Sequence, residues 1–297
     1  MTNTPTPQLR SVSRVIDGFR TLEGAGFPVR RPFPTAELSF FDPFLLLDEM
    51  GPMQVEPGGH AVGAPTHPHR GFETVTYLID GGMRHKDSKG HAGKLGPGDV
   101  QWMTAGSGVL HDELPDEAFV RRGGTMHGFQ LWVNLPRKDK LMPPRYQEIP
   151  AAGIPTGRSA DGKVEVKVIA GEALGARAVI ETQTPIFYLH YTVAPGGEVI
   201  QSAPAEFNAF ATVIHGQGRF GPKAVAGVEG QTLLFERDGE NIRFTNDGKE
   251  PLSLLLLGGV PLNEPVARYG PFVMNTQAEI IQAVRDYQTG QFGTIAP

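Results

Sequence analysis

Four side chains of metal-ligand type occur as two pairs. The segment THPHRGFETVTYLIDGG carries His67 and His69, and TAGSGVLHDE carries His111 and Glu113. On a strand, residues i and i+2 share a face, so each pair points one way. Two neighbouring strands could bring the pairs together and close a site of three imidazoles and one carboxylate. That donor set suits Fe(II), and also Mn, Co, Ni or Cu. Octahedral coordination would leave two positions for water, substrate or O2. A lone His-x-His pair equally suits two surface histidines in a polar loop, and Pro65 and Pro68 fit that reading. The second pair, after a Gly-rich turn, favours the site.

The elements that must position these residues are strands. ETVTYLI (73–79), GFQLWVNL (128–135), VEVKVIA (164–170), IFYLHYTV (186–193), FATVI (210–214), TLLFE (232–236) and SLLLL (253–257) are β-rich runs between Gly, Pro and Asp clusters. Their recurrence predicts an all-β sandwich or barrel. Helical pattern is confined to the end. Thr276 and Glu279 form a capping box, and Ile280, Ala283, Val284 and Tyr287 follow at helical spacing before Gly290. A C-terminal helix is expected over 276–289.

Composition bounds the function. The 297 residues suggest about two domains. There are 38 glycines and 26 prolines with no three-residue period, which excludes collagen and implies many turns. A net charge of −5 gives no basic footprint for direct nucleic-acid binding. The absence of cysteine excludes disulfides, thiolate zinc sites, iron–sulfur clusters and a cysteine nucleophile. Met1–Arg14 is polar and no apolar run approaches a membrane span, so a cytoplasmic protein without membrane attachment is expected.

The chain also repeats itself. Phe72…Ile79-Asp80-Gly81 is matched by Phe207…Ile214-His215-Gly216, and Gly98-Asp99-Val100 by Gly230-Gln231-Thr232. Two related β domains are expected, 1–145 and 146–297, joined in the Pro-rich stretch from Pro143 to Pro155.

The spacing His67-x-His69-x-x-x-Glu73 before a Gly turn resembles the first motif of the cupin superfamily, and Gly98…Gly106-Ser107-Gly108-Val109-Leu110-His111 resembles the second. More narrowly, the block from His67 to Glu113 is similar to the pirin family, as are FDPFLLLDEMGP (41–52), MHGFQLWVNLP (126–136) and EPVARYGPFVMNT (264–276). The resemblance covers residue 10 to Gly293. It implies two tandem cupin domains of jelly-roll type followed by the terminal helix. It also implies a mononuclear metal, usually iron, in the first barrel, held by His67, His69, His111 and Glu113. Glu73 occupies the usual cupin carboxylate position, but in pirins the carboxylate two residues after the last histidine, here Glu113, takes that role. On the repeat, His67, His69, His111 and Glu113 correspond to Ser202, Pro204, Arg243 and Thr245, so the second barrel is expected to be metal-free.

The activity implied is that of an Fe(2+) oxygenase of quercetin 2,3-dioxygenase type, opening the central ring of a flavonol with O2 and releasing carbon monoxide. A small aromatic or flavonol-like substrate and O2 are then its partners, with Glu113 as the catalytic base. The alternative implied by eukaryotic relatives is a metal-dependent, redox-sensitive regulator acting through protein partners.

Other residues carry weaker expectations. Arg70 reads as a structural ion-pair partner, and Arg70 and Phe72 alternate away from His69 if the strand is regular. Gln130 or His127 is a candidate pocket-lining residue; Gln130 and Trp132 share a face. Trp102 and Met103 are expected to pack the barrel. His85 and His91 read as a solvated loop, His190 and His215 as structural, and His60 sits in a Gly-rich loop. GHAGKLG (90–96) lacks the phosphate-loop spacing, and Ser107 lacks the flanking glycines of a nucleophile elbow.

Overall fold

Short β-branched and aromatic runs between turns become antiparallel strands in the computed structural model, which describes residues 8–59 and 62–295. His60 lies outside the described residues. Contacts divide the chain into two compact units: Phe19–Gly153 with the segment from Leu262 onward, and the segment up to Gly18 with Ile154–Pro261.

The two units repeat one topology. In the first, a seven-stranded sheet runs Arg145–Ile149, Val100–Thr104, Phe72–Asp80, Gly124–Asn134, Phe44–Val55, Phe27–Phe33, Phe19–Glu23. A four-stranded sheet runs Ala64–His69, Val109–Pro115, Met83–Asp87, Ala92–Leu95. In the second, the seven-stranded sheet runs Val12–Asp17, Gln231–Phe235, Asn208–His215, Leu252–Gly259, Ile186–Val193, Val164–Ala170, Thr156–Arg158. Its four-stranded sheet runs Glu198–Ser202, Asn241–Thr245, Gln217–Phe220, Val225–Val228. The expected two-cupin, all-β architecture is therefore present.

The expected division at 145/146 differs from these units at both ends. The Val12–Asp17 strand pairs with Gln231–Phe235, so the N-terminal segment completes the second sheet. The C-terminal helix Gln277–Gln288 packs through Ile280, Ala283 and Val284 on Phe272, Met274, Phe292 and Leu110 of the first unit. Edge pairing and an apolar helix face decide this, not chain order. The helix starts where its cap predicts: Thr276 Oγ1 accepts from Glu279 N, and Glu279 Oε2 accepts from Thr276 N at 2.8 Å. No helix among the described residues is long and apolar enough to cross a membrane.

The interiors differ. In the second unit both sheets contribute to one apolar cluster, including Leu189, Tyr191, Phe207, Phe220, Phe244 and Leu254. Where the first unit pairs His67 with His111, the equivalent strands pair Ile200 with Arg243; Ser202, which the repeat offset matches to His67, lies two residues further along opposite Asn241, and Arg243 Nε donates to Glu198 at 2.8 Å. In the first unit an apolar cluster around Phe27, Met50, Leu78 and Met126 fills only part of the space between the sheets. A cavity of about 520 Å³ lies beside it.

Each unit also ties its inter-strand loops with a guanidinium. In the first, Arg70 Nε donates to Ser107 O at 2.7 Å and Nη1 to Asp286 Oδ2 at 2.7 Å, which is the structural ion pair expected of Arg70. In the second, fully buried Arg10 donates to the carbonyls of Gly239 (3.0 Å), Phe207 (2.6 Å), Ala203 (3.3 Å) and Pro204. Removing that donor set strands buried carbonyls, at about 1–3 kcal/mol for each left without a partner. Arg10→Met is expected to lower the unfolding free energy by several kcal/mol in a denaturant titration, whereas Arg14→Met, on an exposed face, should change little. Equal, small effects would show that the carbonyls find other donors.

Candidate metal centre

The Ala64–His69 strand pairs antiparallel with Val109–Pro115, placing His67 opposite His111 and His69 opposite Val109. Alternation then turns His67 and His69 to one face and His111 to meet them. His67 Nε2 lies 2.9 Å from His69 Nε2 and 3.0 Å from His111 Nε2. The three ligand atoms all fall within 4.8 Å of one another, so the group could hold a metal ion.

Proton accounting supports a cation between them. His67 Nδ1 lies 2.8 Å from Pro65 O, which fixes the proton on Nδ1 and leaves Nε2 as a lone pair. His69 and His111 would have to donate to that nitrogen through Nε2, and each would then carry a bare, buried Nδ1 lone pair. One lone pair serves only one such donor, and neither Nδ1 has a hydrogen-bond partner among the described residues in either tautomer. The opposite tautomer turns three lone pairs toward one point, an arrangement that a borderline cation satisfies. Protonation is no escape. Burial first, then the neighbouring His67 and His111 rings, hold His69 well below the ordinary imidazole value, and burial, His67 and His85 do the same for His111.

Glu113 is on the same strand as His111 and lines the same cavity, along with His67 and His69. A register shift between His111 and Glu113 against the Ala64–His69 strand sets it apart from the three-imidazole group. Its Oε1 accepts from Thr76 Oγ1 at 2.9 Å, and Thr76 Oγ1 is also 2.7 Å from Gln130 Oε1. A threonine hydroxyl has one hydrogen, so both contacts are satisfied only if the Gln130 amide presents its NH2 to Thr76. The resulting chain runs from the Gln130 amide through the Thr76 hydroxyl to the Glu113 carboxylate. Thr76 carries no sequence signal, because its partner comes from the opposite sheet.

Several expectations need adjustment. Phe72 does not turn away from His69. Gly71, at φ 86°, breaks the alternation after Arg70, and the Phe72 ring meets the His69 ring at 5.1 Å and Trp132 at 4.4 Å. Of the two lining candidates, Gln130 lines the cavity with Trp132, whereas His127 faces the other way and pairs with Glu49 at 3.0 Å. His85 is not in a solvated loop. Met83, His85 and Asp87 form the buried face of a strand, with His85 across from Glu113. Its Nε2 lies 2.5 Å from Glu148 Oε1 and its ring stacks on Tyr146 at 5.5 Å. His91 is exposed but ion-paired to Asp87 at 2.9 Å. Trp102 and Met103 are fully buried, as expected. His190 Nε2 lies 2.9 Å from Ser253 Oγ, and His215 pairs with Glu229 at 3.1 Å. Glu73 alternates to the face opposite Thr76 and is buried there with its Oε1 accepting from Thr104 at 2.7 Å. Burial raises its carboxyl to about 7, against the hydrogen bonds from Thr104 and Trp102 that lower it.

Behind the strands, Lys140 is fully buried. Its ammonium donates to Gly71 O (2.8 Å), Asn134 Oδ1 (2.7 Å) and Val273 O (3.0 Å), which fixes the turn after His69. Burial lowers it to about 8.

The chain is similar to known proteins along most of its length. The chain matches the family profile "Pirin" over residues 26–133 and "Pirin C-terminal cupin domain" over residues 188–293. It is 45% identical to a pirin-like protein of Solanum lycopersicum over 91% of this chain and 89% of that one. It is 43% identical to pirin of Homo sapiens, covering 91% and 90%. A crystal structure of quercetin 2,3-dioxygenase from Acinetobacter baumannii superposes with a TM-score of 0.90 at 36% identity, covering 97% of this chain and all of that one.

Two measurements check the site. Elemental analysis should give about one transition-metal ion per wild-type chain and little in a His67→Ala/His111→Ala variant. No metal in either after anaerobic loading would contradict the assignment. Glu73 gives a pH test. Its folded value, about 7, lies above the ordinary 4.5, so the protein binds its proton more tightly than the unfolded chain does. Stability from this group is full below 4.5 and lost as pH rises through 7, on the order of 3 kcal/mol in all. In metal-free protein, Glu73→Gln should remove that loss, so its stability relative to wild type rises between pH 5 and 8. Parallel curves would contradict the shift.

Proposed function

The chain belongs to the pirin family, and on that premise we propose that it is a mononuclear-metal oxygenase. In this reading iron(II) is held by His67, His69, His111 and Glu113, and flavonol-like aromatic rings are opened with O2. The observation that carries this reading is the three-imidazole cluster on the wall of a largely apolar cavity of about 520 Å³. That volume suits a small aromatic molecule. The similarity to a protein described as quercetin 2,3-dioxygenase supports the same substrate class. A redox-sensitive regulator working through protein partners would not require such a cavity.

The bound metal would supply Lewis acidity toward a substrate hydroxyl and a redox partner for O2. The chain's own residues do the rest. Phe27, Val29, Leu46, Met50 and Met83 line the cavity and exclude water from around the ring. Trp132, packed edge-on to His69 at 5.3 Å, offers a flat surface beside the imidazoles. Glu113 takes the hydroxyl proton. Its Oε1 accepts from the Thr76 hydroxyl. Thr76, backed by Gln130, holds that carboxylate in one orientation.

Iron-loaded wild type should consume quercetin and O2 in equal amounts and release carbon monoxide. Glu113→Gln should slow this by about 100-fold or more. Thr76→Val should keep the metal and lower the rate by about tenfold. Flavonol and O2 left unconsumed by protein with its site filled would overturn the oxygenase reading.

A further inference from the structure

Two arginines line the cavity, Arg31 partly buried and Arg268 exposed to solvent, and their situations are opposite. Arg31 is spent: Nε donates to Asp48 Oδ1 at 2.7 Å, and Nη2 donates to Asp48 Oδ2 at 2.6 Å and Glu23 Oε1 at 2.5 Å. Arg268, on the Ala267–Tyr269 strand, has no carboxylate within ion-pair distance among the described residues. Its one hydrogen bond among the described residues, Nη1 to Leu45 O, is 3.5 Å long, at the outer limit of such contacts.

The guanidinium is nevertheless held in place. Its Cζ lies 4.9 Å from the centre of the Trp132 ring, over the indole. Stacking of this kind fixes the group without consuming its N–H donors. The fork that binds a carboxylate through two parallel hydrogen bonds is left almost wholly unused. The same indole touches the metal centre, since its ring is 5.3 Å from that of His69. A ligand spanning those two steps reaches both the imidazole cluster and Arg268, with Trp132 along its flank. Glu23 and Asp48 also face this end of the cavity, but both already accept from Arg31.

We propose that Arg268 anchors an ionised acid group, so that the substrates this pocket favours are planar hydroxylated aromatic carboxylates, bound with their hydroxyls at the metal centre and their carboxylate on Arg268. This rests on the oxygenase reading of the same cavity and narrows its substrate class. A flavonol without an acid group would fill the pocket and leave the anchor idle.

The test uses 3,4-dihydroxycinnamate, its methyl ester and quercetin as probes. Each is titrated calorimetrically, without O2, into iron-loaded wild type, Arg268→Gln and Arg268→Lys. Metal content is measured for all three proteins. In wild type the acid should bind about tenfold or more tighter than the ester. Arg268→Gln should abolish that preference while leaving ester and quercetin affinities unchanged, and Arg268→Lys should retain part of it. Equal binding of acid and ester to wild type would overturn the anchor and leave the pocket reading standing. A preference that survives in Arg268→Gln would also overturn it. If none of the three probes binds to metal-loaded wild type, the pocket reading fails together with the anchor.

Discussion

Three imidazole nitrogens converge within 3.0 Å steps in a site where two of the rings are fully or almost fully buried. In water such a cluster would protonate or separate. Here burial disfavours protonation of His69 and His111, and two paired strands hold their rings against His67. The cost of that convergence is what a cation offsets, and the surrounding structure serves to maintain it. Pro65 O sets the tautomer of His67, Lys140 fixes the turn after His69, and Arg70 ties that turn to the loop before His111 and to the terminal helix.

The repeat shows what the constraint requires. Both units share one strand order, but in the second Ile200 pairs with Arg243 where His67 pairs with His111 in the first. There the inter-sheet space is closed by aromatic and aliphatic side chains. The first unit keeps an open cavity beside its ligand-bearing strands. A single fold thus accommodates either a filled core or a polar centre, depending on a few inward positions.

Much of this was legible in the residues. Two i, i+2 pairs on strands, a capping box at Thr276 and a repeat offset are local signals, and local geometry realises them. The remainder depends on packing between distant segments. Thr76 reads as an ordinary strand threonine, and only the approach of the opposite sheet makes it the partner of Glu113. Phe72 was displaced by one left-handed glycine, Gly71. The alternation of Met83, His85 and Asp87 did mark a buried strand face, but the charged Arg84 and Lys86 between them masked it. The exchange of terminal segments and the pairing of Arg70 with Asp286 join residues far apart in the chain, which no window of sequence encodes.

The central claim is that one metal is held by three imidazoles and the Glu113 carboxylate. X-ray absorption at the metal edge of the loaded protein reads that ligand set directly. The account predicts a spectrum fitted by about three imidazoles and further oxygen ligands, with the oxygen shell altered in Glu113→Gln and the imidazole count unchanged. A wild-type spectrum needing fewer than three imidazoles, or an oxygen shell indifferent to Glu113→Gln, would contradict it.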